Sequence, residues 1–428
     1  LKDVAGDGKT SMPATEKPNA SASRLRQKGR QIIRAVEGVP VLGSLFTDKS
    51  VRSGLFAFAL TRAIVIFLFV VTMQIGFVYG PRPVGEFQEV TLTLHHIPFA
   101  QTMQAIARRA DGNWYIGIAT EGYERLPFEA STQHNWTFFP LYPLIVRLVS
   151  TVTGDPVLTG LALANIFLLL ALILLHKTTL AFGYEEEDAR RTVLYLAAFP
   201  TSYFFSLFMT ESLFLLLVVA SFYSARRERW WLAGVCGALA SATRVSGILL
   251  LPVLAVLYWQ QHGRQFKSNV LGLLIIPTGL LAFMVYLHSI TGNAFAFKDV
   301  QVAWGRKPGL FIVPLLKYLV DPLRIVDGWD FKIINFLAAM LAFTCALLLL
   351  KRRQWALGLF TLACVILPLS SQLLQSLGRY VLVIFPVFMT LALMGRSPRV
   401  DRLVVALFFS LLTLMTILNA AHWNLAMS

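Results

Sequence analysis

LFAFALTRAIVIFLFVVTMQIGFVY, residues 55–79, is an apolar run long enough to cross a bilayer. At 1.5 Å per residue, a helix of about 20 residues spans roughly 30 Å of hydrocarbon. Further apolar runs follow at Val157–Leu180, Thr192–Leu207, Phe208–Ser224, Trp231–Thr243, Val245–Trp259, Val270–Ile290, Ile333–Leu350, Trp355–Leu374, Tyr380–Met394 and Leu403–Ala420, with an ambiguous short one at Phe138–Val152. The chain is 56% hydrophobic and 14% charged, against about 25% charged in a soluble domain. That charge cannot coat a water-facing surface of this size. The pattern predicts an all-α polytopic membrane protein, since a spanning helix satisfies its own backbone groups. Several runs are short and carry Pro or Gly, which is tolerable where neighbouring helices or a cavity satisfy the freed backbone.

Net charge is +15. It fits the basic bias of cytoplasmic loops and attraction to anionic lipid, and no basic-aromatic module for nucleic acid stands outside the runs. The three cysteines, Cys236, Cys345 and Cys364, lie inside apolar runs without a CxxC, as packing residues do. Residue 1 is Leu and not Met, which reads as a processed start; residues 1–50 read as a basic, largely disordered cytoplasmic tail, and 51–428 as the integral membrane domain. No cleavable signal peptide is expected, because the run at Leu55 lacks a small-residue cleavage site.

Lys and Arg set the orientation. The basic loops are Arg24–Arg34, Lys177 with Arg190–Arg191, Arg226–Arg229, His262–Lys267, Lys351–Arg353 and Arg396–Arg402. Placing them all inside gives about eleven crossings. Residues 80–150 and 291–330 then form two outer loops, and Asp111, Glu121, Glu211, Arg244, Lys298, Arg306 and Arg379 share the outer side. The first outer loop holds RRADGNWYIGIATEGY (108–123) and NWTFFPLYP (135–143). Within it, Ile97–Arg109 and Asn113–Glu121 read as short interfacial helices, with Trp114, Tyr115, Tyr123 and Trp136 at headgroup depth.

Each candidate has a functional and a structural reading. Asp111 is a general base or a helix N-cap. Glu121 is an acid near the site or a surface charge. Glu211, opening an apolar run, binds an acceptor or pairs with an arginine. Arg244 and Arg379 grip a phosphate or snorkel to the interface. Adjacent His95 and His96, with His134 in the same loop, suggest zinc but make a poor ligand set. Arg306, Lys298 and Trp304 touch phosphate or sugar, or lie in a solvated loop. Glu185–Asp188 reads as a solvated inner face. No Gly-rich phosphate cradle is present, which argues against a nucleotide-sugar donor.

DGNWYIGIATEGY followed by FFPLYP resembles the first outer loop of the PIG-V family, the mannosyltransferases that add the second mannose to glycosylphosphatidylinositol, and of their bacterial relatives. The similarity continues in FPTSYFFSLFMTESLF (199–214), WLAGVCGALASATRVSGILLLP (231–252) and SLGRYVLVIFPVF (376–388). The resemblance implies a GT-C glycosyltransferase bundle, a polyprenyl-phosphate sugar donor (mannose in the usual case), a lipid or glycan acceptor, and no cofactor or required metal. It implies Asp111 as the catalytic acidic residue, a general base, and Arg244 and Arg379 on the donor phosphate. Glu121, Glu211, Trp114, Tyr115 and His134 are then expected to bind acceptor or sugar. This chain reads ADG where relatives often read WDG or WDA, which changes the packing around the aspartate. Short loops favour a bacterial plasma membrane with the site outward; in a eukaryote the equivalent face is the lumen of the endoplasmic reticulum. The rival classes are a transporter or flippase, which predicts mid-span charges and internal symmetry, and a ligase moving a whole oligosaccharide from a lipid diphosphate.

Overall fold

The computed structural model describes residues 47–79, 90–322, 326–327 and 330–421. The basic tail before residue 47, and residues 80–89 of the first outer loop, lie outside the described residues. The chain divides into two compact units, Leu1–Arg52 and Ser53–Ser428.

The described chain is an all-α membrane bundle with two short antiparallel strand pairs. Six helical segments are long and apolar enough to cross a membrane: Lys49–Gln74, Pro156–Ala181, Val245–His262, Ser268–Thr291, Lys332–Lys351 and Pro398–Ala420. Four shorter apolar helices, Leu141–Thr153, Trp230–Ser241, Trp355–Leu369 and Phe385–Met394, pack among them. The ambiguous run at 138–152 resolves into the first of these. At 13 residues it reaches only about 20 Å, short of the roughly 30 Å of hydrocarbon.

Helix α1 (Lys49–Gln74) stops short of the apolar run that encodes it. The last residues, Ile75–Tyr79, pair as strand β1 with β2 (Val90–Leu94). Their sequence, IGFVY, is rich in β-branched and aromatic residues after a glycine. Gln74 fastens the returning chain: its side-chain amide donates to Ile97 O at 2.9 Å and accepts from Ile97 N at 2.8 Å.

Two short helices follow, α2 (Phe99–Ala107) and α3 (Gly112–Thr120), within two residues of their expected bounds. After α4 (Leu141–Thr153) comes α5 (Pro156–Ala181), which starts on Asp155; its carboxylate accepts from Val157 N and Leu158 N. Helix α6 (Glu186–Ala198) returns, and α7 (Glu211–Arg226) runs parallel to α5. The parallel direction follows from the ends: Arg226, in the last turn of α7, donates to Ala181 O, the last carbonyl of α5. Helix α7 is ten residues shorter than α5. Glu211 therefore begins roughly 15 Å inside the level of Pro156.

The expected continuous span Thr192–Leu207 is corrected here. The helix starts at Glu186 and ends before Pro200, because a residue preceding proline is driven out of the helical region. The chain continues as a buried irregular segment with a 3-10 turn at Ser202–Ser206. Such backbone inside a bundle needs partners, and Arg62 of α1 supplies them. Its guanidinium, 2% exposed, donates to Ser202 O (2.8 Å), Ala197 O (3.2 Å), Ser202 Oγ (2.9 Å) and Ser206 Oγ (3.0 Å). Arg62→Leu should leave these acceptors orphaned and lower stability by at least about 3 kcal/mol, checked by thermal unfolding in detergent, with Arg62→Lys intermediate.

The solvated reading of Glu185–Asp188 holds for Glu185 and Glu187, which are exposed, and is corrected for Asp188. Asp188 is buried and receives Arg396 Nη2 at 2.6 Å, which also contacts Glu185 at 2.7 Å. This ion pair ties the start of α6 to the loop before the last helix. The cysteines are free; Cys345 and Cys364 are buried and Cys236 is half-buried.

Candidate active site

The turn between α2 and α3 aims Asp111. Ala110 sits at φ +50°, left-handed, which costs an L-residue about 1–2 kcal/mol. Gly112 donates to Arg109 O at 3.0 Å, and a Cβ there would stand 1.9 Å from Ala107 O. Only glycine permits this approach. Gly112→Ala must displace the turn, and about 1 Å of misplacement can cost 10²-fold in rate. At Gly117, one face of α3 away, nothing lies within 4 Å of an added Cβ. Gly117→Ala should leave the α2–α3 turn in place and gain up to about 1 kcal/mol of helix stability. Rates and melting curves of the two variants check the contrast.

Asp111 occupies the N-cap position of α3, but its side chain makes no cap hydrogen bond. Its carboxylate points elsewhere: Arg379 Nη1 lies 2.5 Å from Asp111 Oδ2. Arg379 Nε donates to Glu211 Oε1. Arg244 Nη1 donates to the same oxygen at 2.7 Å. The capping reading of Asp111 therefore gives way to an ion pair. Glu211 pairs with both arginines, and neither arginine snorkels. Two carboxylates and two guanidinium groups, four residues from four separated parts of the chain, close into one cluster.

Each member is fixed by its surroundings. Glu211 is fully buried at the first turn of α7. Arg379 lies in a short helix, Leu377–Leu382, entered from Ser376 at φ +58°. Asn335 Oδ1 accepts from Gly378 N at 3.1 Å, and Thr201 Oγ1 donates to Gly378 O at 3.0 Å. Arg379 stacks over Phe204 (5.4 Å), and Arg244 over Tyr380 (5.3 Å) and Phe214 (5.8 Å). A planar guanidinium on an aromatic face keeps its edge donors free for planar acceptors. Asp111 is the most open member, with a third of its side chain exposed.

Aromatic rings lie beside the cluster. Trp114 stacks on Phe138 (5.5 Å, 19°) and meets the edge of Trp304 (6.1 Å), so the segments 80–150 and 291–330 touch. Gln301 donates to Thr137 across the same contact, and Arg306 Nη1 holds Gln301 Oε1 at 2.6 Å. Tyr115 is buried with its hydroxyl 3.5 Å from Thr210 Oγ1, beside Glu211 in sequence. Burial pushes the Tyr115 phenol up to about 12, so it stays neutral and can donate. Glu121 ends α3, exposed, and lines an open cleft of about 290 Å³ with Asn113, Trp114, Gly117, Gly122, Tyr123, Glu124 and Asn135.

His134 is not part of the cluster. Its Nδ1 lies 2.5 Å from Glu124 Oε2, and its ring stacks on Trp136 at 4.1 Å. His95 and His96 are exposed. Among the described residues no three His, Cys, Asp or Glu side chains group as metal ligands, so the zinc reading has no ligand set. Lys298 is exposed over Phe295. Sequence reading missed Thr201 and Asn335, which position Arg379; both are uncharged residues in apolar context.

Residues 99–274 match the family Mannosyltransferase (PIG-V). This stretch is PIG-V-like. The PIG-V-like stretch contains Asp111, Glu211 and Arg244, whereas Arg379 lies beyond it. The chain is also similar to GPI alpha-1,6-mannosyltransferase 2 of Cricetulus griseus, 28% identical over 152 residues. That alignment spans 33% of this chain and 29% of that protein. Two structures of the Archaeoglobus fulgidus oligosaccharyltransferase overlap it more broadly. The form tethered to an acceptor peptide covers 86% of this chain and 54% of that one, with 11% identity and a TM-score of 0.42. The apo form covers 86% and 55%, with 10% identity and a TM-score of 0.41.

Proposed function

We propose that this protein is an inverting glycosyltransferase of the GT-C type that moves one hexose, mannose in the first instance, from a polyprenyl-phosphate donor to a lipid or glycan hydroxyl at the outer membrane face. The observation that carries the reading is the closed cluster of Asp111, Arg379, Glu211 and Arg244. It lies against the interfacial helices of a membrane bundle and within or beside the PIG-V-like stretch. Phosphate chemistry needs fixed cations, and a hydroxyl nucleophile needs a positioned base.

The acceptor oxygen attacks the anomeric carbon from the side opposite the phosphate. The new C–O bond forms as the bond from the anomeric carbon to the phosphate oxygen breaks. The electron pair leaves on the lipid phosphate, where Arg244 and Arg379 stabilise it. The acceptor proton passes to Asp111. A β-linked donor thus gives an α-linked product. Trp114 and Glu121, on the cleft beside Asp111, bind the acceptor. No cofactor is needed in this scheme, because a phosphate monoester leaves readily against two guanidinium groups.

The test is transfer of radiolabelled mannose from polyprenyl-phosphate mannose by the purified protein in lipid nanodiscs, with mass analysis of the product. One added hexose with inverted configuration is expected. A block of several sugars would favour the oligosaccharide-ligase reading, and no covalent product alongside donor movement between leaflets would favour a flippase. Sidedness is read separately: a single Cys at position 111 should react with an impermeant maleimide on intact cells, and one at position 351 should not.

A further inference from the structure

Arg379 holds two acids with different parts of one guanidinium. Its Nε contacts Glu211, which is fully buried and carries Arg244 on the same oxygen. Its Nη1 contacts Asp111, which is a third exposed. The Nε contact is an anchor; the Nη1 contact faces the open side and is the one an incoming anion can take over. Glu211 Oε1 is shared by both arginines, while Oε2 is buried and accepts nothing among the described residues.

Resting on the lipid-phosphate donor reading, we propose that Asp111 and the donor phosphate compete for the Nη1 edge of Arg379, so that donor binding is what frees the Asp111 carboxylate to receive a hydroxyl. In the unliganded protein Asp111 Oδ2 is committed to Arg379 at 2.5 Å. A phosphate oxygen arriving at Nη1 takes that donor. The anchored Nε, stacked on Phe204, keeps the guanidinium plane in place while the partner at its edge changes. Donor therefore binds first, and the acceptor meets a free base only in the loaded protein.

The competition makes an unusual demand: removing the base must improve donor binding. Affinity for polyprenyl monophosphate, which cannot turn over, is measured for the unsubstituted protein, Asp111→Asn, Arg379→Gln and the double variant in nanodiscs. Asp111→Asn is expected to bind about tenfold tighter, a shift of about 1.4 kcal/mol. Arg379→Gln is expected to bind more weakly, and in its background Asp111→Asn should bring no gain, since the contested donor is gone. Unchanged or weaker binding by Asp111→Asn overturns the proposal. So does a gain that persists in the Arg379→Gln background, which would mean simple charge repulsion. Asp111→Ser takes the same role should the asparagine variant not fold. The transfer assay is independent: absence of transfer with this binding pattern intact sinks the glycosyltransferase reading alone, and transfer with no gain in binding sinks the competition alone.

Discussion

Asp111→Asn should leave a folded protein whose sugar transfer falls by about 10²–10⁴-fold, the usual contribution of a positioned general base. Asparagine keeps the shape of the side chain and can still meet Arg379 through its amide oxygen, so the α2–α3 turn is undisturbed. What it cannot do is accept a proton. Side chains that pair with Asp111 lie more than 260 residues away in the chain, so a general folding defect would appear as a shifted melting curve as well as lost activity. Single-turnover assays with saturating donor, alongside thermal unfolding, separate the two. Transfer at the unsubstituted rate would remove Asp111 from the chemistry and leave it as a mere partner of Arg379.

Glu211→Gln should be the most damaging single change to the fold at this site, about 3–5 kcal/mol. It leaves Arg244 and Arg379, both nearly buried, facing each other with only the half-open Asp111 as counter-charge. Breaking one partner of a buried ionic group is far worse than removing the group as a whole. The second substitution Arg244→Met, added to Glu211→Gln, should therefore recover much of the loss, because the remaining Asp111–Arg379 pair is neutral. Transfer should not return, since one phosphate ligand is gone. Melting temperature and monodispersity in detergent read the first effect, and transfer reads the second. If Glu211→Gln is as stable as the unsubstituted protein, the buried carboxylate does not hold the arginines.

Much of the class was legible before any coordinates. Apolar runs announced the membrane bundle, and short polar–aromatic patterns placed the interfacial helices. Loop charges put Asp111, Glu211, Arg244 and Arg379 on one side, and the fold closes them into contact. The pairing itself was not legible. Position 111 before a helix looks like a cap, and only the tertiary approach of residue 379 shows the carboxylate turned away from the helix end. The helix end before Pro200 was hidden for a related reason. Thr192 to Leu207 is apolar enough to pass for one span, and Pro200 within it reads as a break that neighbouring helices could tolerate. Arg62 was passed over inside a run of LFAFALTRAIVIF, where one basic residue barely changes the apolar signal. His134, a conspicuous residue in the same loop, stands apart from the cluster, on Glu124 and Trp136.

The guanidinium at residue 62 also has a bearing on how the chain is made. Its acceptors are 135 to 144 residues downstream, so the ribosome has emitted helix α1 long before its partners exist. Until they emerge, a charged group in the bilayer must shelter against water, headgroups or the insertion machinery. Helix α1 is thus held in waiting during synthesis, and chains cut short before Ser206 should be the ones that quality-control proteases clear fastest.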